Sequence, residues 1–412
     1  MIRFPRLLLS KRKILNLQMR NIGEIKDCYG CGVCATVCGK KIIGIGLNKE
    51  GFYEPQVVDP DQCVGCGLCL EVCSFLQEEP SLRRTEIHSY AAWCKDVAVR
   101  RKCSSGGVSF ELGRTLIEEG YKVCGVRYDV ERARAEHYIA TTVEDLIPSI
   151  GSKYIQSYTI EGFKAINRKE KYLVTGTPCQ IDSFRRYIRK FDVEDNFVLM
   201  DFFCHGVPSM RLWQKYLQEV EKITGKVTYV SWRNKFTGWH DSWAMSIDGK
   251  ERGEKVDHDS CNLLIREKSF YNSRLSQGDN FYRFFLSDAC LGKACYEMCK
   301  YKYDRSAADI RIGDLWGDTY KSDEDGVSAA VAFTEKGNKI LRSCGCELIE
   351  HPFNVVAEGQ MKECPRRPRL RSWILAHFCS DHSLRSMLIM YKLCCLPKRI
   401  INKLIRIFKW EK

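Results

Sequence analysis

The sequence carries CYGCGVCATVC at residues 28–38 and CVGCGLCLEVC at residues 63–73. In both stretches the four cysteines are separated by two, two and then three residues. This spacing lets a loop wrap around one compact group and direct three thiolates at it. The intervening glycines let the backbone approach that group and offer N–H donors to its sulfurs. The stretches therefore predict a small module around two cysteine-bound groups, with a strand over Phe52–Val58 between them.

The cysteine spacing is typical of the ligands of two [4Fe–4S] clusters of the bacterial ferredoxin type. Each cluster needs four thiolates, and the last cysteine of each motif ligates the other cluster. Gly39 and Ser74 stand where the usual motif has proline, which removes no ligand. Structural zinc is the alternative, but its sites usually pair cysteine motifs across longer gaps. The crossed assignment gives one cluster Cys28, Cys31, Cys34 and Cys73, and the other Cys63, Cys66, Cys69 and Cys38.

Length and composition indicate a multidomain protein of a reducing compartment. The chain has 412 residues, which is long for one compact domain. Its 23 cysteines would indicate a disulfide scaffold only in a small secreted chain. Residues 1–20 hold six bases and no acid, and residues 397–412 hold six bases and one acid, so most of the +13 net charge lies at the ends. The nearly neutral body argues against nucleic acid as a partner, and we expect a cytoplasmic protein.

The C-terminal segment is predicted to form a basic amphipathic helix. From Lys398 to Trp410 apolar side chains recur on one helical face, and the basic residues lie mostly off that face. Such a helix suits peripheral contact with the inner membrane face or with a partner, and it equally suits packing on its own domain. No segment reaches the roughly 18–20 apolar residues of a membrane span.

From residue 88 onward, strand patterns alternate with helix patterns, which predicts a parallel or mixed α/β sheet. We expect Ser104 or Ser105 to cap the first helix and Ser209 to cap a later one. The predicted strands are Tyr121–Val126, Lys171–Thr175, Phe197–Phe203, Tyr229–Trp232 and Trp243–Ile247, and the predicted helices include Gly107–Glu119 and Met210–Ile223.

The sequence thus divides into four predicted parts. Residues 1–24 form a basic leader, and residues 25–78 form an α+β ferredoxin domain with two clusters. Residues 88–365 form an α/β domain with a mixed sheet, and residues 370–412 form a basic helical tail.

Five further cysteines lie where another metal site would form. Cys179 and Cys204 each follow a predicted strand and precede a helix, and ligands of open α/β sheets bind at the carboxyl ends of strands. Cys290, Cys295 and Cys299 are separated by four and three residues, so the last two could share a helix face. These three thiols with one of the first two would complete a third cluster. Buried cysteines without a ligand are the alternative, because free cysteine is common in protein cores.

Two polar segments are candidates for binding a phosphate or a flavin. SSGG at residues 104–107 begins a predicted helix, where backbone N–H groups attract anions, although a plain helix cap explains it equally well. Lys153 could neutralise a phosphate or a reduced flavin, or could be a solvated lysine. His205 beside Cys204 is either a hydrogen-bonded turn residue or a proton donor.

The order of these motifs carries a resemblance to a known family. After the two cysteine motifs come SSGG (104–107), GSKY (151–154), GTPCQ (176–180), CHGVPS (204–209) and GDLWG (313–317). Over residues 25–320 the chain resembles the coenzyme F-420 hydrogenase/dehydrogenase beta-subunit family, fused to an N-terminal bacterial-type ferredoxin domain with two [4Fe–4S] clusters.

The resemblance implies that the α/β domain binds FAD. The protein would be an iron–sulfur flavoprotein oxidoreductase that passes electrons between its ferredoxin-type clusters and FAD to an organic two-electron acceptor, deazaflavin-like or unknown. The alternative is a non-catalytic electron-transfer subunit that serves a redox partner protein. The resemblance also implies Cys179, Cys204, Cys290, Cys295 and Cys299 as candidates for a third [4Fe–4S] cluster. The implied FAD contacts are Ser104, Ser105, Gly106, Gly107, Lys153, Gly176, Thr177, Pro178 and Gln180.

Overall fold

The computed structural model describes residues 19–82, 87–250 and 271–395. Residues 19–82 form an α+β module whose antiparallel hairpin pairs β1 (Ile43–Leu47) with β2 (Tyr53–Val57). Two short helices, α1 (Val33–Val37) and α2 (Leu68–Glu71), each begin inside one cysteine motif. β2 is the strand that the sequence predicts between the motifs. β1 was not predicted, because the glycines in its sequence IGIGL weaken the strand pattern.

Twelve further strands are found in the described residues after the module. They are β3 (His88–Cys94), β4 (Lys122–Asp129), β5 (Arg134–Ala140), β6 (Ser157–Tyr158), β7 (Tyr172–Thr175), β8 (Phe197–Phe202), β9 (Val227–Ser231), β10 (Ala244–Gly249), β11 (Tyr271–Arg274), β12 (Ile310–Asp314), β13 (Ser328–Ala332) and β14 (Cys346–Glu350).

Nine of these strands form one sheet in the order β14-β3-β13-β12-β8-β7-β4-β5-β6. The central strands β12, β8, β7 and β4 are parallel to one another, whereas β13, β3 and β14 pair antiparallel on one side. The expected mixed sheet is therefore confirmed. β9, β10 and β11 form a separate antiparallel sheet.

The helices flank the large sheet and extend to the C-terminal end of the described chain, which confirms a helical C-terminal region. They are α3 (Val97–Lys102), α4 (Val108–Glu118), α5 (Val143–Leu146), α6 (Ile160–Ala165), α7 (Pro178–Lys190), α8 (Met210–Thr224), α9 (Asn280–Leu286), α10 (Lys293–Glu297), α11 (Glu335–Ser343), α12 (Phe353–Val356), α13 (Arg371–His377) and α14 (Leu384–Cys395).

Apolar packing joins the cysteine module to the sheet. Val33 of α1 shares one core with Ile181 and Phe184 of α7, and all three are fully buried. Each such side chain contributes about 1.5–3 kcal/mol when buried. Gly32 precedes α1 with a φ of 75°, and a Cβ there would lie 2.1 Å from Thr159 Oγ1. Only glycine fits this close approach, which fixes the first cysteine motif against α6.

The caps of two helices test the sequence-based predictions. Helix α4 is preceded by Gly107 with a φ of 87°, so Gly107 takes the N-cap position and the prediction of Ser104 or Ser105 was wrong. Ser209 caps α8 as predicted, and its hydroxyl accepts a hydrogen bond from Arg211 N.

The two basic ends lie mainly beyond the described residues. The helix predicted over Lys398–Trp410 lies outside them, as do residues 1–18 of the predicted leader. Within the parts of the chain that the structure describes, no helix is both long and apolar enough to cross a membrane.

Candidate metal and cofactor sites

Four thiols of the module gather around one small cavity. Cys28, Cys31, Cys34 and Cys73 line it together. Burial and the proximity of the Cys31 thiol raise the pKa of Cys73 to about 12, and burial likewise raises the pKa of Cys28 and Cys34. Binding iron would supply the positive charge that keeps such buried sulfurs deprotonated. Gly30 N already donates to Cys28 Sγ at 3.3 Å.

The other thiols of the module lie nearer to the surface. The electrostatic neighbours of Cys69 include Cys66 and Cys38, whereas Cys63 lies by Asn21, whose Nδ2 is 3.6 Å from the Cys63 sulfur. A backbone hydrogen bond from Gly65 lowers the pKa of Cys63. Cys66 is exposed. In both groups the last cysteine of one motif lies beside cysteines of the other motif, which is the arrangement that crossed ligation requires.

A cubane cluster and a structural zinc ion require different arrangements of four thiolates. Among residues 19–82, 87–250 and 271–395, no three Cys, His, Asp or Glu side chains converge on a position for a single metal ion. Zinc needs four donors at roughly 2.0–2.3 Å from one ion. A [4Fe–4S] cluster separates its thiolates, because each binds a different iron.

Four thiols of the α/β domain also lie together, and we call them the four-cysteine ring: Cys179, Cys204, Cys295 and Cys299. Cys179 has Cys204 and Cys295 as electrostatic neighbours, and Cys299 is a neighbour of Cys204 and Cys295. Burial raises the pKa of Cys179, Cys204 and Cys295. Helix α10 ends at Glu297, so Cys299 lies beyond it and the predicted shared helix face was wrong.

One predicted member is elsewhere, and one neighbour was missed. Cys290 is fully buried in an apolar core, with its sulfur 4.0 Å from Phe284 O, and its electrostatic neighbours include none of the ring. Cys364, to which the sequence analysis assigns no role, places its Sγ 3.2 Å from Cys299 O. Its thiol also contacts the Cys299 sulfur and, with Lys302, lowers the pKa of Cys299 to about 6. No local sequence motif predicts the contact between Cys364 and Cys299, because the two residues are 65 positions apart in the chain.

The ring lies beside the first thiol group of the module. Cys31 is an electrostatic neighbour of Cys179, and its Sγ lies 3.3 Å from Ser183 Oγ on the same helix α7. Between the two sites Tyr29 and Tyr301 pack edge to face with ring centroids 5.9 Å apart.

On its other side the ring borders a cavity of about 480 Å³ that lies over the large sheet. This volume suits a bound cofactor or substrate. Gly106 and Pro178 do not line the cavity: a Cβ on Gly106 would lie 2.3 Å from Ala92 O, and Pro178 is buried in the first turn of α7. The other proposed cofactor contacts line the cavity together with Cys204, and they are Ser104, Ser105, Gly107, Lys153, Gly176, Thr177 and Gln180.

The Lys153 ammonium is engaged by its own loop. Its Nζ donates to the carbonyls of Pro148, Ser149 and Ile150 at 2.9–3.0 Å. Burial lowers the pKa of Lys153 to about 7. Three carbonyl acceptors hold the side chain, so it braces the wall of the cavity, and its lowered pKa leaves it only partly protonated near pH 7.

The serines of the predicted phosphate loop also have protein partners. Ser104 Oγ accepts from Ser152 N at 2.9 Å, and Ser105 Oγ donates to Val327 O at 2.8 Å. These bonds explain why neither hydroxyl caps helix α4. They hold the loop against β13 and leave its backbone as part of the cavity wall.

An aromatic wall with a buried ion pair was not predicted from the sequence. Tyr154 stacks on Trp243 with ring centroids 4.8 Å apart, and both line the cavity with Trp316. The Arg233 guanidinium, fully buried, donates to Asp314 at 3.0 Å and to Tyr154 Oη at 3.1 Å, and lies over both tryptophans. Flat, apolar walls of this kind suit a planar ring system.

His205 also lines the cavity, and its imidazole contacts the carboxylate of Asp288. The His205 Nε2 lies 2.8 Å from Asp288 Oδ1, and the imidazole packs edge to face on Phe285. The contact with the carboxylate orients the imidazole, as a proton donor or a well-held turn residue requires.

Comparisons with known families agree with this architecture. Residues 27–75 match the 4Fe-4S dicluster domain family, residues 89–163 match the N-terminal part of the coenzyme F-420 hydrogenase/dehydrogenase beta subunit, and residues 169–348 match its C-terminal part. The chain belongs to the coenzyme F-420 hydrogenase/dehydrogenase beta-subunit family. This membership, with the dicluster domain, gives it an iron–sulfur redox role in electron transfer.

One solved structure similar to this family member is the F-420-reducing [NiFe] hydrogenase complex from Methanosarcina barkeri, studied by xenon derivatization. The match has 18% sequence identity and a TM-score of 0.42, and it covers 66% of this chain and 85% of the other. Among curated proteins, none matches the sequence.

Proposed function

We propose that this protein is an iron–sulfur flavoprotein oxidoreductase. Its ferredoxin domain, residues 25–78, would hold two [4Fe–4S] clusters on the crossed cysteine sets. Its α/β domain, residues 88–365, would hold a third cluster on the four-cysteine ring and FAD in the adjoining cavity. The final acceptor would be an organic two-electron acceptor such as a deazaflavin.

The observation that carries this proposal is the position of the ring between the module and the cavity. Cys179 neighbours Cys31 of the module, whereas Cys204 lines the cavity. The sequence of sites supports a path for electrons through the protein interior, away from solvent.

The residues around the cavity fit a flavin. Its aromatic wall of Tyr154, Trp243 and Trp316 suits a flat ring system, and the protonated form of Lys153 adds a positive charge beside the space. Bound FAD would supply the coupling of single electrons to electron pairs. The chain's own task is to hold the rings and to exclude water, and the His205 imidazole, held by Asp288, would hold a proton near the cavity.

The thiols nearer to the surface of the module, Cys38, Cys63, Cys66 and Cys69, support contact with a redox partner protein. Cys66 is exposed, and Val64 between two of the motif's cysteines is 67% exposed. Neither Gly65 nor Gly67 has an atom within 4 Å of the position of an added Cβ. A cluster held there would be accessible to a protein that delivers or takes single electrons, and a reducing cytoplasm suits such an exposed site.

The test is FAD binding and reduction in anaerobically purified protein. We expect FAD to bind and to be reduced when chemically reduced ferredoxin is added in excess, because each FAD takes up two electrons and each ferredoxin cluster delivers one. The matched control is Cys295→Ala, which should bind FAD but reduce it much more slowly. If the protein holds its clusters yet neither binds nor reduces FAD, the proposal fails and the non-catalytic electron-transfer subunit stands.

A further inference from the structure

Lys302 is a buried cation whose contacts carry no compensating charge. The residue is only 9% exposed. Its Nζ donates to Cys204 O at 2.7 Å and to His205 O at 3.0 Å, and lies 3.8 Å from Met361 Sδ. No carboxylate of the described residues lies within 4.0 Å of this ammonium. Such isolation is unfavourable, because buried charges are normally paired.

The neighbouring cation does not share this isolation. The Arg311 guanidinium makes two hydrogen bonds of 2.7 Å to the carboxylate of Asp201, and both side chains are fully buried. Its charge is therefore neutralised within the protein. Lys302 is left as the uncompensated charge, and it is held against the backbone of Cys204 of the four-cysteine ring, where it also lines the cavity.

We propose that Lys302 is the charge partner of an anionic iron–sulfur cluster on the four-cysteine ring and sets its reduction potential. This inference rests on the proposed function. Adding an electron to a thiolate-bound cluster increases its negative charge, so a fixed cation nearby stabilises the reduced form and raises the potential. The lysine acts by its charge alone, and no bond is made or broken at Nζ.

Lys300, two residues earlier, is a matched control. Its side chain is also 9% exposed, and its Nζ donates to Ser74 O at 2.8 Å and Gln77 O at 2.6 Å. These acceptors follow Cys73 of the ferredoxin domain. Asp182 Oδ2 lies 4.0 Å from the same Nζ and offsets part of its charge. The two lysines thus share chemistry and burial but face different thiol groups.

The experiment compares Lys302→Met, Lys302→Arg and Lys300→Met by iron content and by redox titration monitored by electron paramagnetic resonance. In Lys302→Met the ring cluster should shift at least tenfold toward its oxidised form, about 59 mV for one electron, while the ferredoxin signals stay unchanged. Lys302→Arg should restore the potential, and Lys300→Met should leave the ring signal where it is.

Each outcome of this experiment decides the inference. Loss of about four irons in Lys302→Met but not in Lys302→Arg also supports it, because the cluster then depends on the charge. Full iron content with an unchanged ring potential in Lys302→Met overturns the inference and leaves the proposed function intact. About eight irons in the unmodified protein would remove the ring cluster itself, and the inference with it, before any variant is made.

Discussion

Cys31 Sγ lies 3.3 Å from Ser183 Oγ, so the ferredoxin domain touches the helix that carries Cys179. Ser183 follows Cys179 by four residues in helix α7, which places both on one side of the helix. One turn of α7 therefore contacts both the inner thiol group of the ferredoxin domain (Cys28, Cys31, Cys34 and Cys73) and the four-cysteine ring. This short spacing is the structural basis for treating the two sites as consecutive.

Replacing Ser183 by alanine should alter the inner ferredoxin cluster. The hydroxyl accepts from Ser74 N at 3.1 Å and from the Cys31 thiol at 3.3 Å, and it donates to Ser74 Oγ at 2.8 Å. Its loss leaves a buried donor unpaired and removes the polar contact that stabilises the thiolate form of Cys31. We expect a lower potential for that cluster and a loss of about 1–3 kcal/mol in the free energy of unfolding. Redox titration and chemical denaturation measure the two effects.

Ser287→Ala is the control for this change, because Ser287 Oγ donates only to Phe284 O near the end of α9. It should leave every cluster potential unchanged. An unchanged potential in Ser183→Ala as well would contradict the assigned contact.

Crossed ligation predicts which cysteine variants share a phenotype. Cys73→Ser should remove the same paramagnetic signal as Cys28→Ser, although the two residues belong to different motifs. Cys38→Ser should remove the signal that Cys66→Ser removes. Anaerobic spectra of the four reduced variants make the comparison, with Cys124→Ser as the control because only burial acts on that thiol. If the signals group by motif instead, the crossed sets are wrong.

Two cysteines separated by four residues should behave differently. Cys295→Ala should lose about four irons, because it removes a thiol of the four-cysteine ring. Cys290→Ala should retain full iron content, because that sulfur lies in an apolar core near Phe284 O. Iron and acid-labile sulfide per chain decide between them. Equal losses in both variants would return Cys290 to the ligand set.

The aromatic wall depends on Arg233. Replacing it by methionine leaves Asp314 with its charge uncompensated, and we expect a loss of about 3–5 kcal/mol in the free energy of unfolding. Arg132→Met breaks an exposed pair with Asp129 and should cost at most about 1 kcal/mol. Chemical denaturation compares the two. Similar small losses would show that the buried pair does not hold this wall together.

The parts that local spacing encodes were predictable from the sequence. The ferredoxin motifs, the strands preceding Cys179 and Cys204, and the Ser209 cap all depend on residues close in the chain. The helical spacing predicted for Cys295 and Cys299 was wrong because the helix ends at Glu297. Proximity in the sequence misled at Cys290, which precedes α10 and whose side chain lies in an apolar core. The pairing of Arg233 with Asp314 was invisible, since 81 residues separate them and only the folded sheet brings them together.

The cap of helix α4 shows a second kind of failure. SSGG offered two good capping serines, yet both hydroxyls bond to distant strands or loops. Gly107 then takes the N-cap position, and no sequence pattern predicts its positive φ. Tertiary contacts overrode the local preference there.

The composition of the protein purified without oxygen tests the three-cluster flavoprotein most directly. Iron, acid-labile sulfide and flavin are counted per chain. We expect about twelve irons, about twelve sulfides and one FAD, which correspond to three [4Fe–4S] clusters and a filled cavity. About eight irons with no flavin would contradict it and leave a two-cluster electron carrier.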